Sequence, residues 1–334
     1  MKTRKPLVAL VFLMVVVLLI SRANAATSGT STGTATVTSA APTIANVELW
    51  DAAESTDKNN TALDSNNVEY RLNFTISDAN TMAELKNVTV IAWDNRGQIE
   101  GDVDSQRYHY TWTWVESTDT WSCPLSANYI VGGSCADPGT GGGGTSYEFR
   151  LAFKLSKVAN YSNAGTYDGW QVKIYVYDDG ANSANFGQGA GGRIQFGVAS
   201  YLGITITDTT HSWSAGPNTN DNAVSAGGDG KVDFTILANR LWKIQASGDR
   251  ADLNTSTPLR QFGLGNVTQY GSNSVGDSVS VTQSYVDVTG LTGQAAPTDE
   301  ASPTNTGVYL WLDVPNGQES DTYTYVLNVQ VASG

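Results

Sequence analysis

The sequence predicts an all-β protein made of two tandem β-sandwiches after an export leader. Three observations carry that prediction. Apolar and polar residues alternate at period two in run after run. Asp, Asn and Gly clusters punctuate the runs. Beyond the leader, no stretch keeps a convincing helical period. At 334 residues the chain exceeds one ordinary sandwich and suits two of roughly 150 residues each. Composition agrees: 40% hydrophobic, 15% charged, with 34 Gly and 9 Pro, which supplies core material and excludes collagen, coiled coil and disorder.

The chain opens with Lys2, Arg4 and Lys5, an apolar run from Leu7 to Ile20, then Ala23-Asn24-Ala25. Charge, a short greasy core and a small-residue exit predict a secretory signal peptide over 1–25. A retained pilin-type helix is the alternative, but the run is shorter than the 20 or so residues that span a bilayer. Losing Lys2, Arg4, Lys5 and Arg22 with the leader takes the net charge from −13 to −17. So acidic a surface repels phosphate backbones and anionic headgroups, which excludes nucleic acid as a partner. The expected location is the cell surface or extracellular space, with no membrane-spanning segment in the mature chain.

Residues 26–43 are rich in Thr, Ser, Gly and Ala, a linker composition. Yet Gly33, Ala35 and Val37 alternate with Thr32, Thr34, Thr36 and Thr38, which is a strand pattern with small residues on one face. The segment reads as a linker or as a strand donated to the sheet edge of another subunit.

The first sandwich is expected over 44–200. Tyr70, Leu72, Phe74 and Ile76 share one strand face, as do Phe149, Leu151, Phe153 and Leu155, and Trp170, Val172, Ile174 and Val176. Turns fall at Asp94-Asn95-Arg96-Gly97 and Asp178-Asp179-Gly180. The second sandwich, over 201–334, contains runs at Val232 to Ile236, Val308 to Val314 and Tyr323 to Val331, the last two joined around Pro315-Asn316-Gly317.

The runs Leu72 to Asp78, Leu85 to Asp94 and Gly169 to Gly180 resemble strands of the Ig-like domains of bacterial and archaeal cell-surface proteins. The resemblance covers about a third of the chain and is a style of strand. It implies Ig-like sandwiches at a cell surface and assigns no functional residue.

An insertion over 96–147 is expected to interrupt the first sandwich. It holds both cysteines, Cys123 and Cys135, and a four-glycine run from Gly141. In an exported chain two cysteines 12 apart predict a disulfide, stabilising by about 3 kcal/mol. The insertion also carries Tyr108, Tyr110, Trp112 and Trp114 on one face of a strand. Such a row either packs as a small core or stacks on sugar rings and partners.

Acidic spacing offers weak calcium candidates: Glu100, Asp102 and Asp104 in one apparent loop, and Asp178 and Asp179 in a second. Neither has EF-hand spacing, and solvated turns are the simpler reading. Apart from calcium no cofactor is implied. N-glycosylation sequons stand at Asn59, Asn73, Asn87, Asn160, Asn254 and Asn266, about as many as composition alone yields. Catalysis is not expected. Two His in unrelated contexts and the absence of a nucleophile elbow leave no acyl-transfer set.

The sequence therefore points to an exported, non-catalytic structural subunit of an extracellular filament, pilus-like fibre or surface layer. Its expected partner is itself, with N-terminal strand addition as one route and a plain linker as the other reading of that segment. The alternative is a secreted adhesin or carbohydrate-binding protein that uses the aromatic strand to hold glycan.

Overall fold

A computed structural model describes residues 33–34, 38–162, 169–187, 193–226, 228–248, 267–271, 273–320, 323 and 325–334. The expected leader over 1–25 and most of the Thr-rich segment, including Ala35 and Val37, lie outside the described residues. Strand takes 46% of the chain and helix 6%, which makes the class all-β.

Alternation sets the first strands. They are β1 (Thr43–Asp51), β2 (Ala62–Leu63), β3 (Tyr70–Ser77), β4 (Leu85–Asp94), β5 (His109–Val115), β6 (Thr120–Ser122), β7 (Ser146–Phe153), β8 (Trp170–Asp178), β9 (Ser183–Phe186) and β10 (Ile194–Val198). A three-stranded sheet runs β1-β3-β7, and a seven-stranded sheet runs β2-β10-β8-β4-β5-β6 with β9 also on β8. All pairs are antiparallel except β2 with β10. Leu72, Phe74, Ile76, Phe149 and Leu151 of one sheet meet Val88, Val90, Trp170 and Ile174 of the other in a single buried core. At about 25 cal/mol per Å² of apolar surface removed from water, that face is what holds the two layers together.

The expected insertion proves to be part of the sandwich wall. Strand β5 pairs with β4 along its whole length, from Asn87↔Val115 to Trp93↔His109. Residues 129–136 run along the outer edge of β7, where Val131 N donates to Ala152 O and Arg150 exchanges two bonds with Ala136.

The expected disulfide is corrected as well: Cys123 and Cys135 are free thiols. Cys123 follows β6 in the larger sheet, whereas Cys135 lies beside β7 of the smaller one. Each packs against the core. The Cys135 Sγ is engaged by Ala152 N at 3.4 Å. Burial pushes both thiols above their ordinary pKa, so they behave as small apolar side chains.

The second set comprises β11 (Leu202–Ile206), β12 (Thr219–Ala223), β13 (Lys231–Ala238), β14 (Trp242–Gly248), β15 (Val267–Tyr270), β16 (Val279–Ser280), β17 (Val286–Asp287), β18 (Thr304–Val314) and β19 (Leu327–Ser333). One sheet runs β11-β13-β18-β15-β16 with β12 also on β18, and the other runs β17-β14-β19. The last two strands do not pair with each other. Across the turn at Gly317 (φ 79°) the chain passes to the opposite sheet. A separate core forms around Phe234, Ile236, Trp242, Ile244, Val308 and Leu310.

Candidate functional site

The aromatic strand does not form a surface. Tyr110, Trp112 and Trp114 are at most 1% exposed and belong to the core of the first sandwich. Tyr110 and Trp112 stack at 5.4 Å, Trp112 meets Phe153 at 5.1 Å, and Trp114 meets Phe149 edge-on at 5.3 Å. The Trp112 indole N–H donates to the Tyr129 carbonyl at 3.1 Å. Only Tyr108, half-buried under the Arg107 guanidinium, stands outside the core. Rings held this way cannot stack on a sugar, so of the two readings of this row packing holds and the glycan-binding one is withdrawn.

The acidic loop after β4 has its own cations. Glu100 pairs with Lys173 Nζ at 2.6 Å and accepts from the Tyr175 hydroxyl. Asp104 accepts from His109 Nδ1 and from Thr111 Oγ1, each at 2.8 Å. Asp102 accepts from Ile99 N at 2.7 Å. Lys173 and His109 lie buried on β8 and β5, and these bonds fasten the loop across the outer face of the sheet. The His109 Nε2 faces the Glu100 carbonyl at 2.9 Å, so both ring nitrogens meet acceptors. A doubly protonated ring satisfies both. Burial works against that charge, but the Asp104 hydrogen bond, the Glu100 carbonyl and the charges of Asp104 and Asp102 outweigh it and raise the ring's pKa.

At the second acidic turn, Asp178 caps its own loop. It accepts from Asn182 N at 2.7 Å, Asn182 Nδ2 at 2.9 Å and Ser39 Oγ at 3.0 Å, while Asp179 is exposed. Among the described residues no three His, Cys, Asp or Glu side chains gather into a cation site.

The sequons divide. Asn73 is buried and accepts from Arg150 Nε at 3.3 Å, so the polar face of β3 is covered at that position. Asn160 Nδ2 donates to Asp94 at 2.6 Å. Asn59 and Asn87 are half-buried. Asn254 and Asn266 lie outside the described residues.

Two features had no signal in the sequence. The first is a polar latch between the sandwiches, centred on Asn239 at the end of β13, which is 0% exposed. Its Nδ2 donates to Ala199 O at 2.7 Å and to Ser65 Oγ at 3.5 Å, its Oδ1 accepts from Tyr201 N at 2.8 Å, and its carbonyl accepts from Tyr161 N at 3.0 Å. Beside it Arg107 donates to Ala296 O at 2.6 Å. Gln106 holds both Asp299 and Glu300 N at 3.1 Å, and Glu300 accepts from Lys157 N. The Arg240 guanidinium sits 4.4 Å over the Tyr161 ring. The second feature is a cluster of His211, Trp213 and Tyr325. Its rings lie within 5.6 Å of one another, and His211 Nε2 is 3.0 Å from the Tyr325 hydroxyl. Tyr323 and Tyr325, read as strand, precede β19.

No family model and no curated protein matches the chain. Among solved structures it is similar to a DUF4466 family protein from Parabacteroides merdae ATCC 43184. That likeness has a TM-score of 0.22 and 10% identity, covering 81% of this chain and 99% of that one, and it carries no argument about function.

Proposed function

We propose that the chain is an exported, non-catalytic structural subunit of an extracellular assembly, a filament or a surface layer, built from two Ig-like sandwiches and joined to copies of itself by N-terminal strand addition. The observation that carries this reading is the latch. Flexibly tethered binding modules need few contacts between domains, and relative motion is the default for small polar interfaces. Here Asn239, Gln106, Arg107 and Lys157 join the two sandwiches through hydrogen bonds to half-buried groups on both sides. A stiff two-domain body suits a load-bearing repeat unit. The burial of Tyr110, Trp112 and Trp114 removes the surface on which the adhesin reading rested.

Electron microscopy of the purified mature protein tests the proposal. The expected result is fibres or sheets of repeating two-lobed units. Dispersed monomers at all concentrations and salts would refute it.

A further inference from the structure

We infer that the open side of the second sandwich, along β19, is the acceptor edge for strand addition, and that its occupant is the Thr32–Thr38 segment of a second copy of this chain. The inference rests on the structural-subunit reading and adds the place where subunits join.

Natural sheets blunt their edges, because an unpaired row of N–H and C=O groups templates another strand. Most edges described here are blunted. Strand β1 is bulged between Ala45 and Glu48, with Asn46 at φ 51°, and it carries Glu48 and Asp51. The edge of β7 is covered by residues 129–136. Strands β2, β16 and β17 are two residues long, and β12 is irregular and carries Asp221.

Strand β19 has none of these protections. Its seven residues, Leu327 to Ser333, contain no charge and no proline, and they pair with β14 in unbroken register from Gly248↔Leu327 to Trp242↔Ser333. Among the described residues nothing pairs with its other edge.

The core also stops one strand short there. On β14, Ile244 and Ala246 are 0% exposed, whereas their neighbours Val331 and Val329, with Leu327, are only half-buried although packed on the same core. Strand β11, the edge of the facing sheet, lies against β19 and is likewise uncharged, with Leu202 and Ile204 half-buried. Two neutral edges thus flank one apolar side that an added strand would cover.

The occupant follows from size and charge. The two edges already lie close together, so an added strand there must carry small inward side chains, and Gly33, Ala35 and Val37 alternate at the required period of two. Seven residues, Thr32 to Thr38, match the seven of β19. The 26–43 segment has no charged residue, so a neutral strand meets a neutral edge in a chain whose net charge is −13.

The test uses the full mature chain. Assembly is read by sedimentation, and edge occupancy by amide hydrogen exchange over 327–333. Assembled protein should protect those amides relative to monomer. Ala35→Asp should lower the sedimentable fraction by about tenfold or more, because a charge would face the apolar side of the acceptor edge. Val329→Lys, with the melting curve of its monomer as a folding control, should abolish acceptance, whereas mixing it with unmodified protein should cap growing ends. A synthetic 26–41 peptide should protect β19 of the monomer and slow assembly. Assembly that persists with Ala35→Asp, protection on another edge, or protection of β19 in an isolated monomer by its own segment would overturn the inference and leave the structural reading standing. A mature protein that never assembles would overturn both.

Discussion

Replacing Trp112 by Ala measures directly what the aromatic strand is for. The ring is 1% exposed, stacked on Tyr110 and tilted against Phe153, and its N–H is bonded to Tyr129 O. Truncating a buried Trp costs about 3–5 kcal/mol, depending on how far the cavity collapses. Two aromatic contacts contribute about 0.5–1.5 kcal/mol each beyond area, and the orphaned carbonyl costs about 1 kcal/mol or more, in part the same energy counted again. The expected loss is therefore about 4–6 kcal/mol, comparable with the whole stability of a domain at the lower end of about 5–15 kcal/mol. Urea denaturation should show the first sandwich unfolding early, by far-UV circular dichroism and by its remaining tryptophans. Trp242, 1% exposed in the other core, should report a second sandwich that outlasts the first, weakened only by the loss of its latch partners. Tyr108→Ala, at a half-buried ring, is the control and should cost much less. A loss under about 1 kcal/mol for Trp112→Ala, together with lost retention on polysaccharide, would refute the packing and restore the binding face.

Asn239→Ala orphans Tyr201 N and Ala199 O inside the latch, at about 1–3 kcal/mol each, so the single variant should lose about 2–6 kcal/mol and split one thermal transition into two; an unsplit, unshifted transition would show that the latch is not what couples the sandwiches. The elevated pKa of His109 gives a signed pH dependence. Its stabilisation is complete below the ordinary value of 6.5 and is lost as pH rises through the higher folded value, where Asp104 or the Glu100 carbonyl loses its donor. An NMR titration should place the ring above 6.5, with amides of 99–104 exchanging faster on the alkaline side; a ring titrating below 6.5 would contradict the two-acceptor geometry.

Most of the strand plan was legible because period two is a local property. Tyr70 to Ile76, Phe149 to Phe153, Trp170 to Val176 and Val232 to Ile236 all lie on strands with the anticipated residues buried. What alternation cannot say is which side of a strand another layer will cover. The row from Tyr108 to Trp114 read correctly as one face, but nothing local said that this face meets Phe149 and Phe153. The flanking Gly-rich and acidic stretches made a wall strand look like an excursion. The acidic residues misled for a related reason. Glu100 and Asp104 do gather around positive charge, but the charges belong to Lys173 and His109, and the first of these is 73 positions away from its partner. Asn239 is one polar residue at a strand end. Only the fold gives it four partners.

The internal engagement of charge bears on how the molecule meets its surroundings. An acidic surface keeps copies apart through long-range repulsion, which salt weakens within about a Debye length of 10 Å at 0.1 M. Where the protein needs rigidity, as at the β4 loop and between the sandwiches, its few cations are already engaged internally: Lys173 on Glu100, Arg107 on Ala296, Lys231 on Asp229 and Asp233. Among the described residues few basic side chains are left to attract another copy by charge. In the proposed assembly, association comes instead from backbone pairing and apolar closure at a place where no carboxylate stands. A neutral, regular seven-residue edge beside half-buried Leu327, Val329 and Val331 meets both conditions. It also makes association strengthen with salt, because screening lowers the repulsion between the acidic bodies and leaves the strand contact untouched. A salt-bridged interface would weaken under the same change. The fraction of sedimentable protein between 0.05 and 0.5 M salt, roughly a threefold change in Debye length, therefore distinguishes the two kinds of joint by sign alone.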